Sequence, residues 1–142
     1  MHSMVQVTNH HPAMRFSLSE TQRAVAGVLT GERKNRMAVS VVLVDSRFIR
    51  RINRKFLGHD VVTDVISFPL QDDVGVDAEL YVNLDRAKRQ AKEYGESFHA
   101  EVLRLIIHGT LHLLGYDDNN KKNRERMRRR EDFYLARLSQ KE

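Results

Sequence analysis

The stretch Glu101-Val-Leu-Arg-Leu-Ile-Ile-His108-Gly-Thr-Leu-His112-Leu-Leu-Gly115-Tyr-Asp117-Asp118 predicts both the centre of the fold and its chemistry. Its first half is apolar enough for a core helix, opened by Ser97. Its second half sets two imidazoles four residues apart, nearly above one another on one helix face. Gly115 ends the helix, because a left-handed residue past the last turn is easiest for glycine, and the reversal brings a carboxylate back toward the rings. Two histidines on an apolar helix need a polar partner, and an ion supplies one. Three protein ligands with an open position is the pattern of a catalytic zinc, whereas closed structural sites use four ligands and usually cysteines. The chain has no cysteine. His108 and His112 are therefore expected to hold a metal with Asp118 as third ligand, while Asp117 beside it is equally acidic and either can cap the helix that follows. Zinc is favoured, although two histidines and one carboxylate also describe a non-haem iron triad.

Outward from this helix the pattern predicts one α+β domain over residues 1–142. A small mixed β-sheet is covered by about five helices, with the metal site at the C-terminal end of the central one. Ser17-Leu-Ser-Glu20 has the capping-box form, and Leu18, Val25, Val28 and Leu29 make an apolar stripe before Gly31. Met37 to Val44 is β-branched and reads as a strand, after which Phe48, Ile49, Ile52 and Phe56 return to helical spacing up to Gly58. Thr63 to Phe68 with Pro69, then Glu79 to Asn83, read as two further strands around an acidic loop at Asp72 to Asp77, so that two or three strands precede the metal helix. Asn83 caps a third helix with Asp85 in its first turn and Ala87, Ala91 and Tyr94 on one side, ending at Gly95. A last helix starts at Asn119 or Asn120. It carries Met127, Tyr134, Leu135 and Leu138 inward and Lys121, Lys122, Arg124, Arg126, Arg128, Arg129 and Arg130 largely outward.

Composition narrows the function class. Twenty-four Lys and Arg against 19 Asp and Glu give a formal charge of +5. That balance favours an acidic partner such as RNA. Zero cysteines exclude a disulfide framework and a thiolate zinc finger and suit a reducing cytosol. Residues Met1 to Thr8 lack the basic and apolar segments of a signal peptide, and no apolar run reaches membrane-spanning length, so a soluble, cytoplasmic protein is expected.

Such a site supports hydrolysis, by polarising a phosphoryl or carbonyl oxygen and acidifying a bound water. A standard zinc protease is disfavoured, because the position where H-E-x-x-H carries its general base is Gly109. Candidates to position water or handle the leaving group are His59, Asp60, Thr63, Asp64 and Ser67, in the loop and strand before the metal helix.

With these residues in hand, His108-Gly-x-Leu-His112-Leu-x-Gly115-Tyr116-Asp117 resembles the signature of the YbeY family of bacterial single-strand-specific metallo-endoribonucleases. Thr63-Asp64-Val65-Ile66-Ser67-Phe68-Pro69 is similar to that family's central strand, and Met127 with Glu131 fits its last helix. The resemblance spans roughly residues 40 to 135. It implies a zinc-dependent cleavage of single-stranded RNA in 16S rRNA 3′-end maturation and ribosome quality control, with the 16S precursor and the small ribosomal subunit as partners. Two positions depart from the family pattern. Its third histidine ligand falls on Asp118, which zinc accepts as a carboxylate. Its arginine before the threonine-aspartate strand falls on Leu57, leaving His59, Arg54 or Lys55 to supply positive charge. His59, Thr63 and Asp64 are accordingly the expected catalytic residues. The rival expectations are a metal hydrolase of another substrate and a non-enzymatic ribosome assembly factor with a zinc-stabilised fold.

Overall fold

The computed structural model describes residues 4–70 and 75–139, so the acidic loop at Asp72 to Asp77 lies partly outside the described residues. Four strands form one sheet in the order β1-β2-β4-β3, where β1 is Met4–Asn9, β2 Ala38–Val44, β3 Val65–Pro69 and β4 Ala78–Asn83. β1, β2 and β4 run parallel, and β3 returns antiparallel along the edge of β4, which makes the sheet mixed. The helices are α1 Leu18–Gly31, α2 Ser46–Leu57, α3 Leu84–Tyr94, α4 Phe98–Leu113 and α5 Lys121–Ser139.

β2 is nearly all apolar because it is covered on both sides. Val39, Val41 and Leu43 join the main core with α1, α4 and α5, while Val42 and Val44 meet Ile49 of α2 and Ile66 and Tyr81 of the sheet. A parallel strand buried on two faces loses the alternation of a half-exposed strand. β1 shows the opposite pattern, with Val5 and Val7 packed on the core and Met4, Gln6 and Thr8 exposed. This short edge strand raises the expected two or three strands to four.

Ser17 caps α1 by accepting from the Glu20 amide at 3.1 Å. Leu18, expected inward, is 48 % exposed, since it precedes the first turn that faces the core and Thr21 and Ala24 take that place. Tyr94, expected inward on α3, is 62 % exposed at the helix end, where Leu84, Ala87 and Ala91 already fill the buried side.

α4 threads the centre, packing on α1, α3, α5, β3 and β4. Ser97 caps it through the Ala100 amide at 3.0 Å. Gly109 is where the helix meets the sheet, because a Cβ there would collide with the Leu80 side chain and approach Val65 Cγ2 to 2.9 Å. Gly115, with φ 100°, turns the chain out of α4 toward α5.

Candidate metal centre at the end of the central helix

His108 and His112 project from one face of α4, with ring centroids 5.5 Å apart. Past the Gly115 turn, Asp118 faces both. Its Oδ2 lies 3.5 Å from His108 Nε2 and its Oδ1 lies 3.7 Å from His112 Nε2. These separations exceed a good hydrogen bond. Two donors bound tetrahedrally to one zinc at about 2.0–2.2 Å lie about 3.3–3.6 Å apart, so the spacing fits ligands to a common ion better than ligands to each other. One donor atom from each of the three residues falls within a mutual 4.8 Å. Asp117 does something else: its Oδ1 accepts from Asn123 Nδ2 at 2.6 Å and from the Asn119 amide at 3.3 Å, which ties down the start of α5.

The orientation of His108 is fixed from behind. Its Nδ1 is 2.6 Å from Glu131 Oε2, while Glu131 Oε1 accepts from Arg104 at 2.8 Å. A carboxylate paired with arginine only accepts, so Nδ1 carries the proton and Nε2 is left as the free donor atom facing Asp118. Burial works against a charged His108 ring, but the hydrogen bond and charge of Glu131, with the charges of Asp118 and Asp64, outweigh it and raise its pKa above the ordinary histidine value. Glu131 is 5 % exposed, and its place between Met127 and Tyr134, at helical spacing on the inward face of α5, is the sequence signal that sets it apart from Glu125 and Asp132.

The site opens into a cleft of about 410 Å³ lined by His59, Thr63, Asp64 and Ser67 together with His108, His112 and Asp118. The expected catalytic residues are thus brought to the expected ligands. Asp60 is not: Arg50 holds its carboxylate at 2.8 and 3.3 Å, with Arg54 at 3.8 Å. Leu57, the position for which the resemblance implied an arginine, lines the cleft, and among the described lining residues there is no lysine or arginine.

One buried residue organises the Thr63-Asp64 corner. Asn83 Nδ2 donates to the Thr63 carbonyl at 3.0 Å and to Ser46 Oγ at 3.1 Å, its amide donates to the Asp64 carbonyl at 2.9 Å, and its Oδ1 caps α3. Gln90 then donates to Asp64 Oδ2 at 3.2 Å. The capping role of Asn83 is legible in the sequence. Its hold on the loop is not, because the partner lies 20 residues away.

A central helix that presents two imidazoles to a returning carboxylate, beside a polar cleft, defines a metalloenzyme-type centre on an α+β scaffold. A family model described as Endoribonuclease YbeY matches residues 6–139, and the chain belongs to that family. Relatives named Endoribonuclease YbeY include one from Chlorobium phaeovibrioides, 42 % identical over 88 % of this chain and 86 % of its own length. Another, from Salinibacter ruber, is 34 % identical over 92 % of this chain and 89 % of its own length. The solution structure of a Thermotoga maritima protein superposes with a TM-score of 0.64 at 28 % identity, covering 95 % of this chain and 89 % of that one. Among the described residues no helix is long and apolar enough to cross a membrane.

Proposed function

We propose that this chain is a zinc-dependent endoribonuclease that cuts single-stranded RNA, acting in the cytoplasm on the 3′ end of the 16S rRNA precursor at the small ribosomal subunit. The observation that carries the reading is the approach of His108 Nε2 and His112 Nε2 to the two oxygens of Asp118, at 3.5 and 3.7 Å, in the cleft that also holds Thr63 and Asp64. Family membership supports the RNA substrate. A divalent ion held by His108, His112 and Asp118 supplies Lewis acidity at a phosphoryl oxygen and a water acidified toward about neutral pH.

The chain's own groups do the rest. Glu131 keeps the proton of His108 on Nδ1, so that Nε2 stays available. Asp64, anchored by Gln90, is the cleft carboxylate outside the ligand set and accepts the proton of the attacking water. The Thr63 hydroxyl and the His59 imidazole donate hydrogen bonds to oxygens of the scissile phosphate, and the proton taken up by Asp64 passes to the leaving oxygen as its bond to phosphorus breaks. Gly109 leaves no room for the glutamate of a zinc protease, since even a Cβ meets Leu80 and Val65.

Labelled single-stranded RNA, the same sequence annealed to its complement, and casein form the test. Cleavage of the single strand alone, abolished by a chelator and restored by zinc, is expected; casein digestion or indifference to the chelator would contradict the proposal. His59→Ala should slow RNA cleavage at least about tenfold without changing bound zinc.

A further inference from the structure

No lysine or arginine lines the cleft among its described residues, so side-chain charge that attracts a long polyanion lies beside it. Two basic helices compete for the role. On α5, part of the charge is engaged within the molecule: Arg130 pairs with Glu32, and Arg126 lies over the Tyr116 ring at 4.7 Å. Arg130, expected outward, turns inward for that pair. No α5 residue lines the cleft.

α2 also has part of its charge engaged, with Arg51 over the Phe48 ring and Lys55 over the Phe56 ring, each at 5.3 Å, but unlike α5 it reaches the cleft. Ser46–Leu57 holds five cations and no acid. Arg47, Arg50, Arg51 and Arg54 line one recess of about 300 Å³. Their spacing of three, four and seven residues places them along one exposed face over about two helical turns, roughly 10 Å. Asp60 engages Arg50 and Arg54, whereas Arg47 and Arg51 have no carboxylate partner among the described residues. The helix runs into the site, with Asn53 and Leu57 both lining the cleft. Beside Leu57 stands Phe56, 53 % exposed, its ring braced 5.5 Å from Phe68. Buried Ile49 and Asn53, the latter donating to the Val61 carbonyl at 3.2 Å, hold this face rigid against the sheet.

We propose that the arginine face of α2 is the track along which single-stranded RNA reaches the cleft, with phosphates on Arg47 and Arg51 and a base stacked on Phe56. An exposed aromatic at the end of a row of guanidinium groups is the sequence-tolerant combination that binds single strands. The inference rests on the endoribonuclease reading and adds the surface that delivers the substrate.

Anisotropy of a labelled single-stranded oligoribonucleotide, read with zinc-loaded full-length protein before cleavage proceeds, tests it. Arg47→Glu with Arg51→Glu should weaken binding at least about tenfold and lower the slope of log affinity against log salt by about 1.4, two phosphates at about 0.7 each. Phe56→Ala should weaken it about fivefold or more. Arg128→Glu with Arg129→Glu should change affinity less than about twofold. Zinc content and helical circular dichroism should stay at wild-type values in all three. Wild-type affinity in the α2 double variant, or a larger loss in the α5 double variant, overturns the track while leaving the endoribonuclease reading intact, provided the wild type binds and cuts RNA. A loss in the arginine variant with none in Phe56→Ala overturns the base stack on Phe56 and leaves the phosphate contacts as the whole of the track. Failure of the wild type to bind or cut RNA overturns the endoribonuclease reading itself.

Discussion

At the scale of single residues, two adjacent aspartates have separate tasks. Asp118 faces both imidazoles, and Asp117 braces Asn119 and Asn123. Asp118→Ala should weaken zinc binding by more than about 100-fold, beyond the range for a supporting residue. Asp117→Ala should leave zinc binding near wild type and lower stability by about 1 kcal/mol, the usual net loss for a hydrogen-bonded side chain. A chelator competition and a urea titration on both variants separate the two, and the reverse ranking would assign the ligand to Asp117. Glu131 is the next residue in. With Arg104 on one oxygen and His108 on the other, Glu131→Gln should reduce zinc affinity about 10–100-fold, because the amide no longer supplies a charged acceptor to Nδ1.

At the scale of elements, the contact of α4 with β3 and β4 decides how closely the histidines approach the Thr63-Asp64 corner. Gly109→Ala sets two effects against each other. Alanine favours a helix interior by about 1 kcal/mol, whereas overpacking costs about 1–3 kcal/mol. Leu80 can swing its terminal methyl, but β-branched Val65 at 2.9 Å has little freedom, so we expect a net loss of stability, read as a lower urea midpoint at unchanged m-value. A gain would show that the sheet yields. Much of this arrangement was legible in the sequence. α4 and its Gly115 stop followed from an apolar run ending in His108 and His112, and the caps Ser17, Ser97 and Asn83 followed from residue type and spacing. What escaped was non-local. β1 depends on pairing with β2, and a six-residue alternating edge segment carries little signal of its own. Arg130 reads as a solvated charge until Glu32, 98 residues away, comes into contact. Likewise the union of His59, Thr63 and Asp64 with the metal helix is created by the β3-β4 pairing and not by any local pattern.

At the scale of the whole molecule, Glu32 joins three separate parts of the chain. Just past α1, its carboxylate accepts from Tyr116 at 2.8 Å, next to the Gly115 turn, and from Arg130 and Tyr134 of α5. Burial pushes the Glu32 carboxyl up, but hydrogen bonds from Tyr134, Arg130 and Tyr116 outweigh it and hold the pKa below the ordinary 4.5. A depressed carboxylate adds stability above its unfolded pKa and loses it as pH falls through the folded value. Glu32→Gln should therefore cost about 1.5–3 kcal/mol at neutral pH and little in strong acid, as urea titrations across that range will show. Glu101, buried on α4, acts in the opposite sense: burial raises its pKa despite Arg104, so its contribution is present in acid and lost as pH rises through the folded value. An equal loss for Glu32→Gln at every pH would remove the carboxylate charge from the account.

The central claim is that His108, His112 and Asp118 hold the ion on which RNA cleavage depends. The most direct measurement is zinc content and single-stranded RNA cleavage, on the same preparations, for wild type, His112→Ala and Asp118→Ala after metal stripping and reconstitution with one equivalent of zinc. The wild type should recover metal and activity together, and both variants should recover neither. Cleavage at the wild-type rate by a variant that holds no zinc would contradict it.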